Sequence, residues 1–217
     1  MLVLAVDTAT SAVVAGLVWL PVAGAPELLG ERVTVNARAH GELLMPSVSE
    51  VMASAGVSLR DLDAVVCGAG PGPFTGLRVG MVSAAALGDG LDIPVYPVCG
   101  LDAMAYRAGA GNALLVVTDA RRRELYWARY DAAGQRVEGP HVDRPDDVPL
   151  AGVTRVAGAG EALGLPVVPP QHPDPAALVA VAAPQLRSPA PPGPLTPLYL
   201  RRPDAVVPGP AKRVTPA

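Results

Sequence analysis

The run Gly68-Ala-Gly-Pro-Gly-Pro-Phe-Thr-Gly-Leu-Arg-Val-Gly80 constrains the fold more than any other stretch of this chain. It leads out of the apolar segment 64–67, which reads as a buried strand, and into a helix. Gly68, Gly70 and Gly72 permit positive φ or close backbone approach, while Pro71 and Pro73 stiffen the same loop, so the connection is built to hold one shape. Thr75 is the expected N-cap of the helix. Beyond it Gly76, Gly80, Ala84 and Gly88 recur four apart and lie along one side of that helix, where they let a neighbour come very close.

Four further motifs stand along the chain. Asp7-Thr-Ala-Thr10 follows the first strand, His40-Gly-Glu-Leu-Leu-Met-Pro46 opens a helix, Asp119-Ala-Arg-Arg follows another strand, and Pro197-Leu-Tyr-Leu-Arg201 lies near the end. In order and spacing they resemble the TsaB (YeaZ) family. The signature loop is carried here by Gly70, Pro71, Gly72, Phe74, Thr75, Gly76, Leu77, Arg78 and Gly80. The likeness runs over nearly the whole chain and is weakest from 137 to 194. Pro73 departs from it, standing where the family usually has Ser.

The resemblance implies a non-catalytic scaffold subunit in the synthesis of N6-threonylcarbamoyladenosine (t6A) in tRNA. In that scheme a TsaC-type enzyme makes threonylcarbamoyl-AMP, a TsaD transferase moves the group to tRNA, and TsaB supports TsaD together with a TsaE-type ATPase. The partner helices would form a bundle with those of TsaD, or with a second copy of the chain, a homodimer, when TsaD is absent. The tRNA would be touched only indirectly. No cofactor is expected in this chain beyond weak nucleotide binding at the partner interface.

Composition sets the outer limits. With 217 residues, half of them hydrophobic, the chain can bury a real core as one domain or two small lobes. A net charge of -3 and a pI near 5.6 argue against nucleic-acid binding through the overall field, so any RNA contact is local or borrowed. Cys67 and Cys99 each close an apolar, strand-like segment and read as buried reduced thiols. The apolar start lacks a basic leader and is interrupted by Asp7, and nothing approaches the ~20 apolar residues of a membrane span, so a cytoplasmic protein without membrane contact is expected.

Residues 2–6, 13–19 and 28–35 read as strands, the first two antiparallel through a tight turn. A helix over 43–55 carries Leu44, Val48, Val51, Met52 and Ala55 at helical spacing, with Pro46 in its first turn. The strand 64–67, the helix 75–87 and a short strand at 93–98 complete a βββαβαβ order. After a connecting helix at 101–108, strands at 113–118, 124–130 and, more weakly, 135–142 begin a second unit of the same kind. A strand at 153–157 and a helix at 175–183 follow, and from Pro184 the chain reads as extended, irregular and partly disordered. Two meander-first α/β lobes point to the actin-like, ribonuclease-H-like ATPase fold, with an N-terminal lobe over 1–100 and a smaller, Pro-tailed lobe over 101–217.

No catalytic constellation stands out. Asp7 and Thr8 sit where active members of this fold organise metal and phosphate, yet no glycine adjoins them. Either they keep a vestigial nucleotide contact, or they satisfy turn amides in a hairpin. The glycine loop could offer amides to an anion at a helix N-terminus, but Pro73 removes one donor and neither a Walker A nor a G-x-G-x-x-G spacing is present. Leu44 stands where an H-x-x-x-H metal motif would place its second imidazole after His40, and His141 and His172 are isolated, so no metal site is expected. Arg121-Arg122-Arg123 reads as a solvated turn, or else as a contact for tRNA or a partner.

The second helix is apolar or small nearly all round, and two faces need two neighbours. The expected partner surface is therefore Leu44, Val48 and Met52 on the first helix with Gly76, Gly80 and Ala84 on the second. An active ATPase or phosphotransferase of the actin-like fold is the alternative, and a metalloprotease the more distant one.

Overall fold

The computed structural model describes residues 1–201. Strands β1 (Leu2–Asp7), β2 (Ala12–Trp19) and β3 (Glu27–Val35) form an antiparallel meander, and α1 (His40–Ala55) carries the chain back to β4 (Ala64–Gly68). Helix α2 (Phe74–Leu91) then crosses to β5 (Val95–Val98), giving a mixed sheet of order β3-β2-β1-β4-β5 with β1, β4 and β5 parallel. The continuous apolar runs of β1, β2 and β4 follow from cover on both faces. Glu27, Glu31 and Arg32 lie on β3, whose exposed side chains blunt the sheet edge.

Helix α3 (Gly100–Ala108) leads into a second sheet built the same way. Strands β6 (Leu114–Asp119), β7 (Leu125–Tyr130) and β8 (Arg136–Asp143) repeat the meander, and β9 (Arg155–Gly158) and β10 (Val167–Val168) add parallel to β6. Its order, β10-β9-β6-β7-β8, mirrors the first. Single 3-10 turns at Pro145–Asp147 and Glu161–Leu163 stand where α1 and α2 stand in the first unit. This shortening is why the second unit is the smaller one.

Helix α4 (Pro175–Leu186) does not stay with the sheet that precedes it. Leu178, Val179, Ala182 and Leu186 pack on Val3, Ala5, Val66 and Val98 of the first sheet, on the face opposite α1 and α2. Gly16 admits this contact, since a Cβ there would collide with the Pro175 ring. A division of the chain at residue 100 thus leaves a helix of the later segment on the earlier sheet. Pro184 lies inside α4, so the irregular segment starts at Arg187; residues 202–217 of the expected tail lie outside the described residues.

The expected partner surface needs correction. Leu44 is 1 % exposed and Met52 4 %, and with Val48 and Ala84 they belong to one core packed between α1, α2 and the sheet. Gly76 and Gly80 are buried too, because a Cβ on either would meet Thr8 at the end of β1, at 2.6 Å from its carbonyl and 2.5 Å from its hydroxyl respectively. The small-residue ladder brings α2 close to its own sheet. Of its two apolar sides, sequence periodicity picked the inner one.

Candidate functional site

The four motifs and the glycine loop converge at the C-terminal ends of β1, β4 and β6. The loop's glycines fit the Asp7-Thr8-Ala9 turn residue by residue: a Cβ on Gly68 would strike the Asp7 carboxylate, and one on Gly72 the Ala9 carbonyl. Gly70 adopts φ 92, open to glycine alone without strain. The expected N-cap also shifts. Pro73 occupies that position, its carbonyl accepting from the Leu77 N–H at 3.0 Å, and Thr75 sits in the first turn.

Thr8 fastens the turn to α2. Its hydroxyl donates to the Gly76 carbonyl at 2.7 Å and accepts from the Gly80 N–H at 2.8 Å, two groups that pair with each other in a regular α-helix. Asp7 is fully buried. Its Oδ1 accepts from the Ala9 N–H at 2.9 Å, while Oδ2 has no hydrogen-bond partner among the described residues. Burial pushes the Asp7 carboxyl up to about 7, against the smaller, opposite pull of the Ala9 bond. Desolvation also raises the neighbouring Cys67 thiol strongly, and the Cys99 thiol to about 11; both cysteines are free.

His40 opens α1 and is tied to the same turn through Nε2 and the Thr10 carbonyl at 2.8 Å. His141 leans on the Trp127 ring at 5.0 Å, and His172 Nδ1 lies 3.3 Å from the Pro173 carbonyl. Each imidazole is thus engaged far from the other two along the chain. Arg121, Arg122 and Arg123 form the turn between β6 and β7 with φ of 63, 55 and 64, a left-handed run unusual for residues that carry a side chain.

The last described residues reach back across the mouth of the cleft. The Leu198 N–H donates to the Ala69 carbonyl at 2.9 Å, and Arg78 Nε donates to the Tyr199 hydroxyl at 2.7 Å. On the other side, Arg201 Nη1 donates to the Ala120 carbonyl at 3.2 Å and pairs with Glu124 at 3.4 Å. Sequence reading found the Pro197–Arg201 motif without its role, because spacing reveals nothing about a strap between two sheets. The outer sides of α1 and α2 leave Met45, Phe74 and Val82 in solvent, with Val82 66 % exposed.

Fold and site together define a two-lobed α/β protein of the actin-like, ribonuclease-H-like class whose turn after β1 is filled by the chain's own loop. The family model of tRNA N6-adenosine threonylcarbamoyltransferase, TsaD, matches residues 28–184. An uncharacterised protein of Mycobacterium tuberculosis is 54 % identical over 206 residues, covering 94 % of this chain and 93 % of that one. The tRNA threonylcarbamoyladenosine biosynthesis protein TsaB of Escherichia coli is 36 % identical over 139 residues, 60 % of this chain and 55 % of its own length. YeaZ from Pseudomonas aeruginosa superimposes with a TM-score of 0.74 at 26 % identity, over 92 % of this chain and 99 % of that structure. The chain belongs to the TsaB (YeaZ) family, within the wider family that the transferase model describes.

Proposed function

We propose that this chain is a non-catalytic scaffold subunit of t6A synthesis, which binds and supports a TsaD-type transferase and works beside a TsaE-type ATPase in the cytoplasm. One observation carries the reading: the turn where an active member of the fold would hold metal and phosphate is occupied. Asp7 is sealed against Gly68, and both hydrogen-bonding capacities of the Thr8 hydroxyl are used by α2. A phosphate would have to displace the chain's own backbone to reach either side chain. The alternative ATPase or phosphotransferase reading needs an Asp7 that solvent can touch.

The surface left for the transferase is the outward side of the α1–α2 pair, where Val82 and Met45 are exposed. In the absence of TsaD a second copy of the chain would cover the same apolar side. Among the described residues no helix is long and apolar enough to cross a membrane. The test is Val82→Glu. A carboxylate forced into a dry helix contact costs about 2 kcal/mol or more, or roughly thirtyfold in affinity. The variant should keep its circular dichroism and lose both sedimentation with TsaD and tRNA modification. Normal association and modification by folded Val82→Glu protein would refute the proposed surface.

A further inference from the structure

Three shallow cavities lie side by side beyond the C-terminal ends of β4 and β6. One, of about 290 Å³, sits among Phe74, Tyr126, Tyr199 and Arg201. A second, also about 290 Å³, runs from Phe74 to Arg38 and His40, and a third, about 380 Å³, is bordered by Arg123, Arg144 and Asp146. Arg121 lines the first two and Arg122 the first and third, so the three form one track.

Six of the chain's 17 lysines and arginines border this track, although the protein is acidic overall. The facing acids are fewer: Asp119 pairs with Arg121, Glu124 with Arg201, and Asp146 lines the third cavity. Arg38, Arg123 and Arg144 are exposed and have no side-chain partner among the described residues. Where the first two cavities meet, the half-exposed rings of Phe74 and Tyr199 stack at 5.2 Å, and the Arg78 guanidinium lies 3.6 Å from the centre of the Phe74 ring.

We propose that this track binds single-stranded RNA, with phosphates along the arginines and a base against the Phe74–Tyr199 stack. Unpaired cations spread over linked hollows suit a chain of phosphates, and a flat aromatic pile among them suits bases. A lipid surface would meet only the rims of the hollows, and a single nucleotide would leave most of the cations unused. That the RNA is a tRNA rests on the function proposed above.

The experiment is fluorescence anisotropy of a labelled anticodon stem–loop RNA with the isolated full chain, from ~50 to ~200 mM salt. Each phosphate contact to a single strand contributes about 0.7 to the log–log salt slope, so Arg38→Gln/Arg123→Gln/Arg144→Gln should flatten it by about 2 and weaken binding about tenfold or more at low salt. Phe74→Ala should weaken binding about fivefold or more and leave the slope unchanged. Arg60→Gln, ahead of β4 at the other end of the sheet, should match the parent protein. No binding by the folded parent chain at the lowest salt overturns the proposal, as does a triple variant that binds like the parent or an Arg60→Gln effect of equal size. Arginine-dependent capture by anionic phospholipid vesicles without RNA binding also overturns it, in favour of a membrane. Sedimentation of the same proteins with TsaD separates the two readings. Lost association with intact RNA binding counts against the scaffold alone, and the reverse counts against the track alone.

Discussion

Gly80→Ala tests the close approach of α2 to the end of β1. The added carbon would lie 2.5 Å from the Thr8 hydroxyl oxygen, inside any real Cβ contact distance. That hydroxyl cannot swing aside without breaking bonds to Gly76 and Gly80, so either the helix shifts or the bonds break. Overpacking costs about 1–3 kcal/mol, and each hydrogen bond lost adds ~0.5–1.5 kcal/mol. The helix propensity gained from alanine returns ~0.5–1 kcal/mol. The net loss is roughly 2–4 kcal/mol, a large share of the ~5–15 kcal/mol that holds a typical domain together. At ~2–4 °C per kcal/mol for a chain of this size, melting should fall by about 5–15 °C. Gly90→Ala, in the same helix with open space around it, should be neutral or gain up to ~1 kcal/mol. Urea titrations followed by far-UV circular dichroism compare the two. Equal stability of Gly80→Ala and Gly90→Ala would refute the close approach of α2 to β1.

Met52→Glu should unfold the chain or cost about 3 kcal/mol or more, because Met52 is buried in the hydrophobic cluster between α1, α2 and the sheet; a native-like urea midpoint would put Met52 on the outside after all. Asp7 gives a pH signature. Its carboxyl titrates near 7 when folded and at 3.8 ordinarily, so the folded state holds the proton more tightly, and stability falls as pH rises from ~4 to ~7. The fall amounts to at most ~4 kcal/mol. Asp7→Asn should therefore gain stability relative to the parent as pH rises through this window and level off above it, and a constant difference in urea midpoints from pH ~4 to ~8 would show that Asp7 is not held neutral.

The order of elements was legible in the sequence because each strand and helix carries its own period or apolar run, and the repeated meander announced two related units. The face of α2 was not. Val82 and Ala84 are similar in polarity, and only the position of Thr8, sixty-eight residues or more from Gly76 and Gly80, decides which side is inside. Likewise nothing local in 175–186 says that α4 belongs to the first sheet; Gly16 records it through the side chain it lacks. Asp7 was recognised by position, whereas its burial depends on Gly68 and the packing around it. Contacts distant in sequence leave glycines as their only local trace, and a glycine does not name its neighbour.

The bonds from Leu198, Tyr199 and Arg201 act as a tie-rod across the two walls of the cleft. Of the three, Arg201 alone ties the strap to the second wall, so parting the walls there breaks one hydrogen bond of ~0.5–1.5 kcal/mol and one ion pair, which favours the closed arrangement about tenfold. A ligand that needs the walls parted would then bind about tenfold more weakly than one content with the closed shape. The tie-rod thus acts as a bias on the cleft, and a molecule lying across the outer surface would not have to work against it.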